Sequence, residues 1–177
     1  SPSGKQHEAF WRDELDDADS SLDLPADFTR PNTIECTTAY FNQYIPATLT
    51  DAFNQFASAN NLSLFALYIS TYHLLLHKYT NSKSIFVGTP TGGREGDFEN
   101  VFGYFTNPVI VKSEIEPEMS VKDFLQEMSG KVMQSLKHQA FPLARVAENI
   151  NLERSTSKAS LFQTSFVWQN INAFENR

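Results

Sequence analysis

Cysteine is nearly absent from this chain. Cys36 is the single one, which excludes an internal disulfide framework and any metal site built on several thiolates. It lies in a stretch of strand-like composition and reads as a small core residue. No apolar run reaches the length of about 18 residues that crossing a bilayer requires, so no transmembrane helix is expected. The N-terminus has no basic region followed by an apolar one, so no signal peptide is expected. The "NLS" sequon at Asn61–Ser63 then carries no weight. The expectation is a cytoplasmic protein without a membrane partner. Basic residues are also sparse: 14 Lys and Arg against 21 Asp and Glu give a net charge of −7. No Lys/Arg-rich run offers a footprint for phosphates, which argues against nucleic acid as a partner. Internal repeats and low-complexity segments are missing too.

What is present is the composition of a core-forming chain. Hydrophobic residues make up 41% and aromatics 13% of 177 residues, enough for one domain or one lobe of a larger unit. The acidic stretch "RDELDDADSSLDLPAD" reads as a solvated face or linker.

Along the chain, 7–15 ("HEAFWRDEL") reads as a short helix anchored by Phe10 and Trp11. Residues 33–45 have strand composition, rich in Thr, Tyr, Phe and Ile. In "TLTDAFNQFASAN", Leu49, Ala52, Phe53, Phe56 and Ala57 share one helical face, and Thr48 with Asp51 resembles a capping box. Residues 63–80 are apolar nearly all round, a helix buried on most sides with Ser63 as N-cap. A short buried strand is expected over 84–90 and a longer one over 102–115. Pro108 belongs at an edge, a bulge or a strand start, because it has no N–H to donate. The clearest helix is 120–139, closed by Ser120 and Asp123, with Val121, Phe124, Leu125, Met128, Val132 and Leu136 on one face. A short helix from Pro142 to about Ile150 and a strand over 161–170 complete a mixed α/β pattern, a mixed sheet flanked by helices.

Chemical motifs are weak on their own terms. "GTPTGGREG" suggests a phosphate cradle, but its glycines lead into a strand and not into a helix N-terminus. His73 and His77 stand four residues apart on one helical face, yet no carboxylate or third ligand accompanies them, so core or surface roles are favoured over zinc. No Gly-x-Ser-x-Gly elbow occurs. His138 ends the clearest helix, where a cation suits the dipole and the ring can bond the last carbonyls; no partner acid marks it as a general base. Residue chemistry alone yields a soluble α/β domain with no self-sufficient catalytic set.

Read together, five segments resemble the C-terminal lobe of the condensation domains of nonribosomal peptide synthetases. "SIFVGTPTGGR" with its preceding helix resembles the family's helix–strand–"G-x-P-x-x-x-R" passage, which places Arg94. "FGYFTNPVIVK" resembles the "G-x-F-V-N-T" strand, carrying Gly103, Tyr104 and Asn107. "HQAFPLARVAENI" is similar to "H-Q-D-x-P-F-E", carrying His138, Gln139 and Pro142. "ERSTSKASLFQTSFVWQN" is similar to "R-D-x-S-R-N-P-L-F-Q" and the strand after it, carrying Arg154 and Ser157. "FWRDEL" followed by "LDLPADFTRP" matches the entry into that lobe. The order holds from about Phe10 to Asn170. Residues 1–9 are then linker, with "SPSG" an expression remnant, and the start of a helix; 10–177 form a partial C-terminal lobe.

The resemblance implies half of a two-lobed chloramphenicol-acetyltransferase-like fold. The family joins an acyl or peptidyl thioester to an amine, both tethered to carrier-protein phosphopantetheine, in a tunnel between the lobes; no cofactor is bound directly. The implied partners are the N-terminal lobe, peptidyl or acyl carrier proteins, and further copies of the chain through the exposed lobe interface. The family's catalytic histidine lies in "H-H-x-x-x-D-G", and no such motif occurs here, so no catalytic residue is assigned. Departures are Ala140 for the motif's aspartate, Leu143-Ala144 for Phe-Glu, Pro108 for threonine, Lys112 for arginine and Ser160 for proline. They imply a divergent subtype, such as one from a hybrid polyketide–peptide assembly line, and leave epimerising, ester-forming, cyclising or non-elongating relatives open. Asn107 lines the tunnel or bonds backbone ahead of a proline. Gly103 permits close backbone approach, Arg94 pairs across the lobes or holds its loop, and Arg154 and Ser157 pin a loop. Two other readings stand beside this one: a non-catalytic module that docks carrier proteins, and a free-standing acyltransferase that needs a complementing subunit.

Overall fold

The structure is a computed structural model that describes residues 2–15, 21–29, 37–92, 101–145 and 161–169. Cys36, Arg94, Arg154, Ser157, residues 146–150 and Asn170 lie outside the described residues. The elements are α1 (Pro2–Leu15), α2 (Ala47–Ala59), α3 (Leu64–Thr80), β1 (Ser84–Thr91), β2 (Asn107–Glu114) and α4 (Val121–Lys137). Mixed helices and a small sheet match the fold class expected from the sequence.

β1 and β2 form an antiparallel ladder in which Val87 faces Val111 and Gly88 faces Ile110. Burial is unbroken from Ile85 to Thr89, as expected for a strand covered on both faces rather than one. One face packs Ile85, Val87 and Val111 against Ile69 and Leu76 of α3 and Phe124, Met128 and Val132 of α4. The other packs Phe86 and Ile110 against Trp11 and Leu15 of α1 and against Leu143. The segment 161–169 lies along the opposite side of β1: the Gly88 N–H donates to the Thr164 carbonyl at 3.0 Å and the Phe166 N–H to the Gly88 carbonyl at 2.9 Å. This contact is an isolated parallel bridge beside the two-stranded antiparallel ladder. Only glycine fits at 88, since a Cβ there would lie 2.6 Å from Phe162 Cζ, well inside van der Waals contact.

The helix ends follow their sequences closely. Ser63 Oγ accepts the Ala66 N–H at 3.1 Å, and Ser120 Oγ accepts the Asp123 N–H at 3.1 Å; each satisfies an orphan donor of a first turn. α3 ends on Asn81 in the left-handed region, at φ 56°, a conformation that asparagine tolerates better than most residues.

Several expectations are corrected. α1 starts at Pro2, not at His7; proline suits a first helical position because its missing N–H would have no partner there. α2 begins at Ala47 behind Pro46 with no side-chain cap, so Thr48 and Asp51 fall inside the first turn and form no capping box. Residues 37–46 form no strand. Tyr40, Phe41 and Tyr44 are 90%, 87% and 93% exposed, because strand propensity without a neighbour to pair with does not make a strand. The second strand starts at Asn107 and not at Phe102, since its partner β1 ends opposite, at Thr91. Pro108 is the second residue of that strand and faces Pro90. The expected strand over 161–170 is reduced to the single bridge at Ser165. On α4, Val121 and Leu136 stay partly exposed at the two ends of the buried face. In the acidic stretch, Glu14 is not merely solvated: it accepts from Lys131 Nζ at 3.1 Å.

Candidate functional site

At the end of the ladder, beyond Gly88, β1 carries Thr89, Pro90, Thr91 and Gly92 into a cleft of about 300 Å³. Phe65 from the start of α3, Leu136 from the end of α4, Gln139 and Trp168 complete its lining. Thr89 and Thr91 are buried, and Thr91 Oγ1 donates to the Asn107 carbonyl at 2.7 Å, tying the two strands together at the cleft floor. The lining thus combines apolar side chains with two threonines and one glutamine.

Asn107 stands behind this lining and not in it. Its Nδ2 donates to the Gln139 carbonyl at 2.7 Å and to the Phe141 carbonyl at 2.9 Å, so both amide hydrogens hold the turn that follows α4. Of the alternatives open at the sequence level, the geometry places this side chain on backbone; the backbone it grips is a turn 32 residues downstream. The expected result of Asn107→Ala is a loss of about 1–3 kcal/mol of stability by urea denaturation, because two part-buried carbonyls lose their donors. Hydrogen exchange should localise the loss to residues 138–142; a uniform or absent effect would contradict the clamp.

His138 caps α4, with its N–H on the Gln134 carbonyl at 3.2 Å. Its ring does not turn back to the last carbonyls. It stacks on Phe10 at 4.0 Å and sets Nδ1 2.9 Å from His7 Nδ1, while its own carbonyl accepts from Trp11 Nε1 at 3.1 Å. Burial, then the neighbouring His7 and Lys137, push its pKa down, so the expected dipole-favoured cation gives way to a ring held towards neutrality. Pro142 opens the next helical turn, its carbonyl accepting the Arg145 N–H at 3.0 Å. Gly103 and Tyr104 sit on the exposed approach to β2, outside the cleft lining, and a Cβ on Gly103 would come 3.1 Å from the Phe105 ring. Of the motif residues that are described, the cleft therefore gathers Pro90 and Gln139, with Asn107 and His138 supporting the turn that carries Gln139. Lys112, at the family's arginine position, reaches Glu114 at 2.8 Å and lies 5.8 Å over the Phe86 ring, holding the Glu114 carboxyl below its usual range.

Sequence reading missed Thr89, Thr91, Phe65 and Trp168 as lining residues. The one available signal was a threonine on either side of Pro90, two polar residues where a buried strand ends. Leu136, assigned to the core, is a cleft residue, and Val121 at the other end of α4 lines a groove of about 330 Å³ with Leu49, Phe53 and Phe56 of α2. His73 and His77 go separate ways. His73 is fully buried with Nδ1 2.8 Å from Ser113 Oγ, and His77 Nδ1 meets the Ser82 carbonyl at 2.9 Å. Among the described residues no cluster of three metal-binding side chains occurs, and no described helix is long and apolar enough to cross a membrane.

Comparison with known proteins places the chain in a family. The chain is 34% identical over 169 residues to polyketide synthase PksN of Bacillus subtilis, covering 95% of this chain and 3% of that protein. It is 31% identical over 173 residues to bacitracin synthase 1 of Bacillus licheniformis, covering 96% of this chain and 3% of the synthase. Its fold superimposes on the crystal structure of holo-AB3403, a four-domain nonribosomal peptide synthetase bound to AMP and glycine, with a TM-score of 0.91 and 26% identity. That match covers 96% of this chain and 13% of the synthetase. The chain thus spans a small fraction of the proteins it matches. The family model described as the condensation domain matches residues 1–176, and with that extent the chain belongs to the condensation domain family.

Proposed function

We propose that this chain is the part of a condensation domain that forms a wall of the substrate passage and a surface for carrier proteins. The reaction is amide formation between an acyl or peptidyl thioester and an aminoacyl acceptor, both on phosphopantetheine arms. The amine nitrogen attacks the thioester carbonyl, the C–N bond forms, the C–S bond breaks, and the amine proton leaves with the thiol. The observation that carries the reading is the family match over residues 1–176 in a sequence that contains no adjacent histidine pair. His73 is enclosed in the core, His77 is engaged with Ser82, and His7 and His138 contact each other. In the cleft, Phe65, Leu136 and Trp168 would flank the methylenes of a pantetheine arm, with Gln139 and the two threonines facing its amides. The likeness to a polyketide synthase supports a hybrid polyketide–peptide assembly line, and a cytoplasmic setting goes with it.

The test supplies acyl-loaded and aminoacyl-loaded carrier proteins and follows the amide product by mass spectrometry. The 177-residue chain alone should give none above the protein-free background. The same chain joined to a relative's "H-H-x-x-x-D-G"-bearing lobe should give product. Product from the chain alone would overturn the wall assignment; no product from a folded fusion would overturn the condensation reading. A docking module is the second reading, favoured by the apolar groove among α2, α3 and α4 and by exposed Tyr40, Phe41 and Tyr44. Such surface favours association with a partner or a second copy, and a monomer in sedimentation that captures no carrier protein would count against it.

A further inference from the structure

Two histidines meet at the joint between α1 and the end of α4. His7 Nδ1 lies 2.9 Å from His138 Nδ1, with the rings edge to face and their centroids 4.8 Å apart. A hydrogen bond between two imidazole nitrogens needs a proton on one and a lone pair on the other. At neutral pH the two rings must therefore be opposite tautomers. One added proton is accommodated: on the far Nε2 of the donor ring, it makes the contact charge-assisted. A second must land on the accepting Nδ1, where it removes the acceptor and sets two cations face to face.

We propose that the His7–His138 pair is an acid-sensitive latch that fastens the start of α1 to the turn after α4 and thereby fixes Gln139 at the edge of the cleft. Two contacts and one adjacency make the turn responsive. Phe10 stacks on the His138 ring, Trp11 donates to the His138 carbonyl, and the next residue is the cleft-lining Gln139. The charged groups that bear on His138 among the described residues are His7 from α1 and Lys137 from α4, and both oppose its protonation. Glu8 is engaged with Arg12 at 3.5 Å. Glu14 is paired with Lys131 at 3.1 Å, two turns away from His7, and keeps the far end of α1 in place. Within α1, release is thus confined to its first turns. Burial, then the neighbouring His7 and Lys137, depress the His138 pKa, so the latch is closed above the ordinary histidine range and opens as pH falls below it.

Nitrogen-15 NMR of the 177-residue protein tests the pair directly. At pH 7.5 one ring should be the Nδ1–H tautomer and the other the Nε2–H tautomer; two Nε2–H rings would overturn the latch. On moving to pH 5, amides of residues 5–10 and 138–141 should lose about tenfold in exchange protection relative to those of β1 and β2. The comparison is made after correction for intrinsic rates. A proportionate loss across the molecule, or none, would overturn the proposal. His7→Phe keeps a ring but removes the shared proton and should abolish the local acid response; its persistence in that variant would also overturn it.

Discussion

Lowering the pH from 7 to 4 should remove about 3 kcal/mol of folding stability through His73 alone, at about 1.4 kcal/mol per pH unit below its ordinary pKa. His73 is fully buried on α3, and burial lowers its pKa from 6.5 to about 3. Unfolding releases the ring to take up a proton that the core refuses, so acid favours the unfolded chain. The loss begins as pH falls past 6.5 and levels off near 3. Nδ1 meets Ser113 Oγ at 2.8 Å, while Nε2 has no partner. An orphaned lone pair is easier to bury than an orphaned N–H, which favours the tautomer with the proton on Nδ1, donated to Ser113. Replacing the pair together, His73→Leu with Ser113→Ala, removes the titrating group without stranding the hydroxyl. The difference in urea-unfolding free energy between parent and variant, measured at several pH values, should grow with the slope above. A pH-independent difference would contradict the assignment. Because that response is spread over the core, it also separates cleanly from the local release expected at His7 and His138.

Trp11→Ala should destabilise the protein by about 3–5 kcal/mol, the range for emptying a large aromatic site in a core. Trp11 is 1% exposed and packs with Leu15, Phe86, Val109, Ile110 and Leu143, while its Nε1–H satisfies the His138 carbonyl. It is the main anchor of α1 on its face of the ladder. Trp11→Phe, which keeps most of the ring volume and loses the donor, should fall well short of the alanine variant. Chemical denaturation gives the magnitudes, and hydrogen exchange should show α1 losing protection before α3 and α4. If Trp11→Ala behaved as a surface change, within about 0.5 kcal/mol of the parent, α1 would not belong to the core.

Local order was legible where one segment contains its own determinants. Ser63 and Ser120 announced the starts of α3 and α4, and the apolar periodicity of α4 marked Phe124, Leu125, Met128 and Val132 as core. Properties that depend on a neighbour were not. Residues 37–46 have the side chains of a strand and lack a partner; the approach to β2 has them too, but begins before β1 can reach it. The cleft was invisible for the same reason. Thr89 and Thr91 acquire meaning only when Gln139 and Trp168 arrive from far along the chain, and Asn107 only when its amide finds the turn after α4. The order of family motifs carried the family assignment, since each motif was weak alone.

Pro90 and Pro108 face each other one position before the ladder ends. Neither can donate an N–H, so a slipped alignment of β1 on β2 would set a proline against a residue that needs one. The pair therefore works as a register stop. Residues added to or removed from the connection between the strands should change the length of that connection and leave the sheet in place. Changes of length between the strands are thereby uncoupled from the alignment that sets Thr89 and Thr91 in the cleft.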